Sequence, residues 1–228
     1  MRMNQRTEIC WSPNISNDLA EIGAEIIIHV FDKPTKKCTS NRRLNFTYPV
    51  QEKNSIKCAA WWPSTEYPYT FALGQTNGRI IFENVKDHHH PLCHRTIDSK
   101  QGRACSALSW NTDSPYLLLS GFERNRTDNC VVLWDVQTSK QSISTTNQPP
   151  TRISQQNPND VEYKRLDNTN PVKALFETGM GEACSSLTWI RPETRFFAAC
   201  TAFGRLIKLY DPRGILILLS LYLPRDHS

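Results

Sequence analysis

The chain has 228 residues, 39% hydrophobic and 21% charged, with Lys+Arg 27 against Asp+Glu 22 for a net charge of +5. That is long enough to bury a core and too apolar for wholesale disorder, while so mild a basic excess does not by itself specify a nucleic-acid partner. The N-terminal MRMNQRTEIC lacks the apolar segment of a secretory signal, and the one membrane-like run, Ile215 to Leu223, has nine residues where a spanning helix needs about 20. The expectation is a soluble intracellular protein.

Four tryptophan-headed units follow one another. The first opens at CWSP around Trp11 and closes on the apolar run IIIHVFD ending at Asp32. Between Lys33 and Lys57 lie seven basic residues and one acidic one, with only Phe46 and Tyr48 as aromatics. No stacking platform for nucleic acid is evident there, and the stretch reads as a solvated connection between units. The second unit runs from CAAWWP around Trp61 through TFALG (Thr70–Gly74) and an Asn77-Gly78 turn to RIIFEN at Asn84. Trp62 must then face the side opposite Trp61. His88, His89, His90, Cys93 and His94 come next. They are good zinc donors by type, but adjacent histidines do not converge readily on one tetrahedral site, so a solvated loop is the reading.

The third unit comprises CSALSWN around Trp110, YLLLSG (Tyr116–Gly121) and CVVLWD, in which Trp134 and Asp135 form a WD dipeptide. Its Glu123–Asp128 loop, ERNRTD, is the candidate recognition loop, because binding residues concentrate on loops held by rigid scaffolds. Arg124 and Arg126 are its candidate anchors and Asp128 their local partner. Of the 24 residues from Gln137 to Asp160, 16 are Ser, Thr, Asn or Gln, so the 137–178 stretch is expected to be a flexible insertion. The fourth unit runs from CSSLTWIRP around Trp189 through RFFAAC (Arg195–Cys200) to LIKLYD at Asp211, and a divergent apolar tail, 214–228, follows.

Head and tail of each unit lie 21–25 residues apart, and successive heads are 50, 49 and 79 residues apart, the last stretched by the insertion. WD-type blades repeat at about 40–45 residues. Each unit reads as three strands rich in Val, Ile, Phe and Tyr, separated by Pro, Asn and Gly turns. The fold expected is all-β: an incomplete WD-repeat propeller of four blades near 9–32, 56–85, 104–136 and 182–213. Trp11, Trp61, Trp110 and Trp189 are expected in its core, with Trp134, Asp135 and Asp211 as further repeat positions. The eight cysteines include no CxxC pair, and six of them (Cys10, Cys58, Cys105, Cys130, Cys184 and Cys200) sit in or beside apolar strands, as reduced buried thiols do. The sequence contains no phosphate-binding glycine loop, GxSxG or HExxH, so no catalytic role, metal or cofactor is expected.

Lys57-Cys-Ala-Ala-Trp61, Ala72 to Arg79 (ALGQTNGR), Gly121 to Val136 (GFERNRTDNCVVLWDV) and Ala183 to Trp189 carry a more particular likeness. Over roughly residues 9–213 the chain resembles the N-terminal propeller of the missing-oocyte (Mio/Mios) family of nutrient-sensing GATOR subunits. The resemblance implies a non-catalytic scaffold that joins a Seh-type propeller protein, other WD-repeat subunits and amino-acid sensor proteins. It also implies a place in the cytoplasm, peripheral at the lysosomal membrane, in signalling that activates the TOR kinase. Members of that family continue into further blades, a helical solenoid and a zinc module, so a truncated form is expected. Two other roles fit a WD propeller: a substrate receptor of a ubiquitin ligase, and a nucleic-acid-associated protein using the Lys33–Lys57 stretch.

Overall fold

A computed structural model describes residues 8–23, 26–32, 37–44, 56–86, 91–98, 102–124, 130–137, 172–180, 182–192, 195–201, 206–213 and 221–222. Each tryptophan-headed unit folds as an antiparallel meander. The first comprises β1 (Glu8–Trp11), β2 (Asp18–Ile22), β3 (Ile26–Asp32) and β4 (Lys37–Leu44). The second comprises β5 (Ile56–Trp61), β6 (Thr70–Gln75), β7 (Ile80–Asn84) and β8 (Thr96–Ile97), with a 3-10 turn at Pro91–His94 before its last strand. The third comprises β9 (Cys105–Trp110), β10 (Leu117–Phe122), β11 (Val131–Asp135) and β12 (Lys173–Thr178). The fourth comprises β13 (Cys184–Trp189), β14 (Phe197–Thr201), β15 (Leu206–Tyr210) and β16 (Leu221–Tyr222). The inner strands β1, β5, β9 and β13 neighbour one another in chain order, so the four sheets stand as successive blades of an incomplete WD-type β-propeller.

The blades have four strands where three were expected, and the fourth corrects the reading of each connection. β4 is cut from the basic stretch taken as a solvated connection, β12 lies inside the 137–178 stretch taken as a flexible insertion, and β16 comes from the apolar tail. Apart from Gln137 and Val172, the rest of the insertion lies outside the described residues. An outer strand has one strand neighbour and borders solvent, so it needs no apolar alternation. β12 accordingly runs exposed and half-buried by turns, with Leu175 among its exposed residues.

Three apolar layers between blades form the core. Ala20, Ile22, Ile26 and Ile28 of the first blade meet Trp61, Phe71 and Leu73 of the second. Cys58, Ala72, Ile80 and Phe82 of the second meet Cys105, Trp110 and Leu118 of the third. Ala107, Leu119, Val131 and Leu133 of the third meet Leu187, Trp189 and Phe197 of the fourth. Sheet register explains how such layers fit a ring. On the face toward the next blade, these rows carry small residues on the inner and second strands and a larger one on the third: Ala60–Ala72–Phe82 and Cys58–Gly74–Ile80 in the second blade, Ala107–Gly121–Val131 in the third. Two glycines mark the tightest approach. A Cβ on Gly121 would lie 2.7 Å from Cys184 Sγ, and one on Gly74 would lie 2.7 Å from Cys105 Sγ.

The repeated tryptophan locks neighbouring blades together. Trp110 Nε1 donates to Ala60 O at 3.2 Å, and Trp189 Nε1 donates to Ser109 O at 3.2 Å. In both cases the acceptor immediately precedes the tryptophan of the blade before. Trp61 donates instead to Pro68 O of its own blade at 2.5 Å. Trp62 turns to the opposite face, as alternation requires, and is buried between the second and third blades, where Nε1 donates to Pro115 O at 2.6 Å and the ring stacks on Tyr67. Trp11 departs from the expected core position. It is 59% exposed, against 5%, 6% and 8% for Trp61, Trp110 and Trp189. Its side chain points to the face of the first blade away from the second, where no preceding blade stands among the described residues.

Candidate functional site

One edge of the arc gathers the loops that link strands two and three within a blade and those that lead from one blade into the next. Strand direction places them together. β5 and β9 start at this edge, while β6 and β10 end there, so residues far apart in sequence become neighbours. Lys57 Nζ, at the start of the second blade's inner strand, pairs with Glu123 Oε1, just past β10 of the third. Arg103 Nη1 donates to Glu123 O at 3.2 Å, and its guanidinium lies 5.5 Å from the centre of the Phe122 ring. Arg79 Nε donates to Asp98 Oδ1 at 2.7 Å, tying the Asn77-Gly78 turn to the segment that leads into the third blade. That turn is tight: Gly78 has φ 84, a left-handed conformation that favours glycine, and Asn77 Oδ1 accepts from Arg79 N at 3.0 Å. Gln75, at the root of the same turn, is fully buried, and neither side-chain polar atom meets a partner among the described residues.

Of the recognition loop read from the sequence, Arg124 is described and exposed beside Glu123. Arg126 and Asp128 lie outside the described residues, as do His88, His89 and His90 and the side chain of His94. Cys93 Sγ accepts from Asn84 N at 3.0 Å, so this thiol is engaged by the backbone of its own blade. Glu123 opens the recognition loop read from the sequence, whereas Lys57, Arg79 and Arg103 were not read there as site residues. A signal for two of them exists in the repeat itself: Lys57 directly precedes Cys58, and Arg103 stands two before Cys105, both at the mouth of an inner strand. The arrangement is a polar rim of fixed guanidinium, ammonium and carboxylate groups on a rigid scaffold, suited to directional recognition of a protein surface.

The opposite edge is structural. Trp134 Nε1 donates to Ser120 Oγ at 2.7 Å, crossing from strand three to strand two of its blade. The acidic or amide residue closing the third strand then caps the turn that follows: Asn84 Oδ1 accepts from Lys86 N at 2.8 Å, Asp135 Oδ1 from Gln137 N at 2.9 Å, and Asp211 Oδ1 from Arg213 N at 3.0 Å. Hydrogen bonds from the Arg213 side chain and backbone hold the Asp211 carboxyl at about 2. Between the blades, burial pushes the thiols of Cys10 and Cys184 up to about 12 and raises that of Cys105 as well, so these cysteines are protonated packing groups and poor nucleophiles.

The sequence pattern of the family described as MIOS, WD40 repeat, matches residues 47–215. The chain belongs to that family. It is 31% identical over 163 residues to the GATOR2 complex protein MIOS of Danio rerio, covering 70% of this chain and 18% of that protein. It is 27% identical over 163 residues to the GATOR2 complex protein MIOS-A of Xenopus laevis, again covering 70% of this chain and 18% of that protein. With the GATOR2 complex protein Mio of Drosophila melanogaster it shares 21% identity over 211 residues, covering 90% of this chain and 20% of that protein. The chain thus spans about a fifth of the length of these relatives. Among solved structures, the C-terminal WD40 domain of Sif2 superposes with a TM-score of 0.50 at 14% identity, over 92% of this chain and 46% of that one. The WD-repeat propeller fold read from the four tryptophan-headed units is therefore the fold of the chain.

Proposed function

We propose that the chain is a non-catalytic protein-interaction module of a GATOR2-type complex, presenting the polar rim around Lys57, Arg103, Glu123 and Arg124 to a fellow subunit. The observation that carries this reading is the family match over residues 47–215, which spans the second and third blades, the first three strands of the fourth and every residue of that rim. Its relatives bear the name of the complex. Geometry adds support. Lys57 and Glu123 belong to different blades, so the rim has a fixed shape only when those blades are packed, and rigid polar groups discriminate partners well. A Seh-type propeller protein, other WD-repeat subunits and amino-acid sensor proteins are the proposed partners. The proposed setting is the cytoplasmic face of the lysosome, in a relay of amino-acid sufficiency to the TOR kinase. Arg126 and Asp128 extend the rim in this proposal.

Co-expression with the other GATOR2 subunits, followed by gel filtration, tests it. The expected result is co-elution with the complex, weakened at least tenfold by Arg124→Glu combined with Lys57→Glu while the melting temperature of the chain changes little. Elution away from every subunit at micromolar concentration refutes the reading.

A further inference from the structure

Where the loop edges of the second and third blades meet, cations outnumber carboxylates. Among the described residues, Lys57, Arg79, Arg103 and Arg124 stand there against Asp98 and Glu123. Both carboxylates are already engaged from within the chain, Asp98 by Arg79 at 2.7 Å and Glu123 by Lys57. Arg124 is exposed, and no group among the described residues engages it. The positive surplus is therefore open to an anion from outside.

These cations are also held in place. Arg103 is fixed twice, by its hydrogen bond to Glu123 O at 3.2 Å and by its position over the Phe122 ring. Lys57 is held across the blade junction through Glu123, and Arg79 is held by the segment leading into the third blade through Asp98. A partner that immobilises an ordinary surface lysine or arginine must offset the lost side-chain entropy. Here folding has already ordered three of the four cations.

The surroundings select among anions. Guanidinium forks match carboxylate and phosphate alike. Single-stranded nucleic acid also needs open ring faces on which its bases stack. The aromatic ring described at this edge, Phe122, is 2% exposed and lies under the Arg103 guanidinium, so no ring face is offered. Asp98 and Glu123 stand beside the cations and would repel a continuous phosphate backbone, whereas a peptide can set uncharged residues opposite them. We infer that this patch binds an acidic segment, rich in Asp and Glu, of a partner protein, with Arg124 as its anchor and Lys57 and Arg103 flanking it. The inference rests on the reading of the rim as a subunit-binding surface and names the chemistry that the rim takes.

Fluorescence anisotropy of the full chain with a fluorescein-labelled peptide of alternating glutamate and glycine tests this. Binding is expected to weaken steeply as salt rises from about 50 to about 300 mM, and to vanish when glutamine replaces glutamate in the peptide. Arg124→Glu should weaken it about tenfold. Arg191→Glu makes the same change of net charge at an exposed residue of the opposite edge and should leave affinity within about twofold. Glu123→Gln removes the carboxylate that competes for Lys57, so affinity should rise about threefold, a gain that loss of folding cannot imitate. No binding of the glutamate peptide, equal weakening by Arg124→Glu and Arg191→Glu, or no gain with Glu123→Gln would overturn the inference. Tighter binding of oligothymidylate than of the peptide would overturn it in favour of a phosphate-backbone ligand. Co-elution with the GATOR2 subunits is read separately. If the chain joins them and the peptide results fail, the inference falls and the subunit reading stands; if the peptide results hold and no subunit co-elutes, the acid-binding patch stands and the subunit reading falls.

Discussion

Gly121→Ala probes the closest approach between blades. A Cβ built on Gly121 stands 2.7 Å from Cys184 Sγ, 2.9 Å from Cys184 Cβ and 3.3 Å from Ala107 Cβ. Unstrained contacts between such atoms lie near 3.5–4.0 Å, so the third and fourth blades must separate by about 1 Å where β10 faces β13. Overpacking of this kind costs about 1–3 kcal/mol. Replacing glycine in a strand returns about 0.5–1 kcal/mol by lowering the entropy of the unfolded chain. The net loss is about 1–2 kcal/mol, which lowers the melting temperature of a chain this long by roughly 2–8 °C. Urea titration and differential scanning calorimetry measure both quantities. Cys184→Ala removes the sulfur atom from the clash, so the double variant should be more stable than the two single effects added together, by about 1 kcal/mol. A Gly121→Ala chain as stable as the parent, or strictly additive effects, would show that the blades do not meet as described.

Other expectations follow from buried polar groups and thiols. Burial raises the Glu83 carboxyl, on the second blade's face toward the first, from 4.5 to about 7. The folded state thus holds that proton more tightly, and stability falls as pH rises from 4.5 through 7; Glu83→Gln should flatten the slope in urea midpoints across that window, and an unchanged slope contradicts the assignment. The Asp211 carboxyl, held at about 2, stabilises the fold throughout that window and adds pH dependence only below it, where its stabilisation is lost as pH falls from 3.8 through 2. Gln75→Leu should raise stability by about 1 kcal/mol, since a buried amide without partners costs about 1–3 kcal/mol; marked destabilisation would show that the amide holds a bound group. Cys58, Cys105 and Cys184 should react with a maleimide in the native chain only at the rate of blade opening, and labelling within seconds at pH 7 would contradict their packing between blades.

The inner three strands of each blade were legible because Trp61, Trp110 and Trp189 recur with apolar, β-branched runs and Pro, Asn and Gly punctuation. The fourth strands were not. Lys37–Leu44 is a polar segment, Lys173–Thr178 sets its three apolar residues side by side without alternation, both are paired on one side only, and β8 and β16 have two residues each, too few to show a period. Trp11 illustrates a different limit. Its sequence context matches its counterparts, but burial depends on a neighbouring blade, which a local motif cannot report. For the candidate site, Arg124 could be read from its loop, whereas Lys57 and Glu123, 66 residues apart, meet only through the packing of two blades. The gradient from Ala60 to Phe82 was likewise hidden, because it runs across strands and not along them.

The central claim, that this WD-repeat chain works as a module of a GATOR2-type complex, is tested most directly by affinity purification of the tagged full chain from amino-acid-fed cells with quantitative mass spectrometry. The account predicts enrichment of several GATOR2 subunits together, reduced by Arg124→Glu with Lys57→Glu. Recovery of ubiquitin-ligase subunits or nucleic-acid-binding proteins in their place, with no GATOR2 subunit above background, would contradict it.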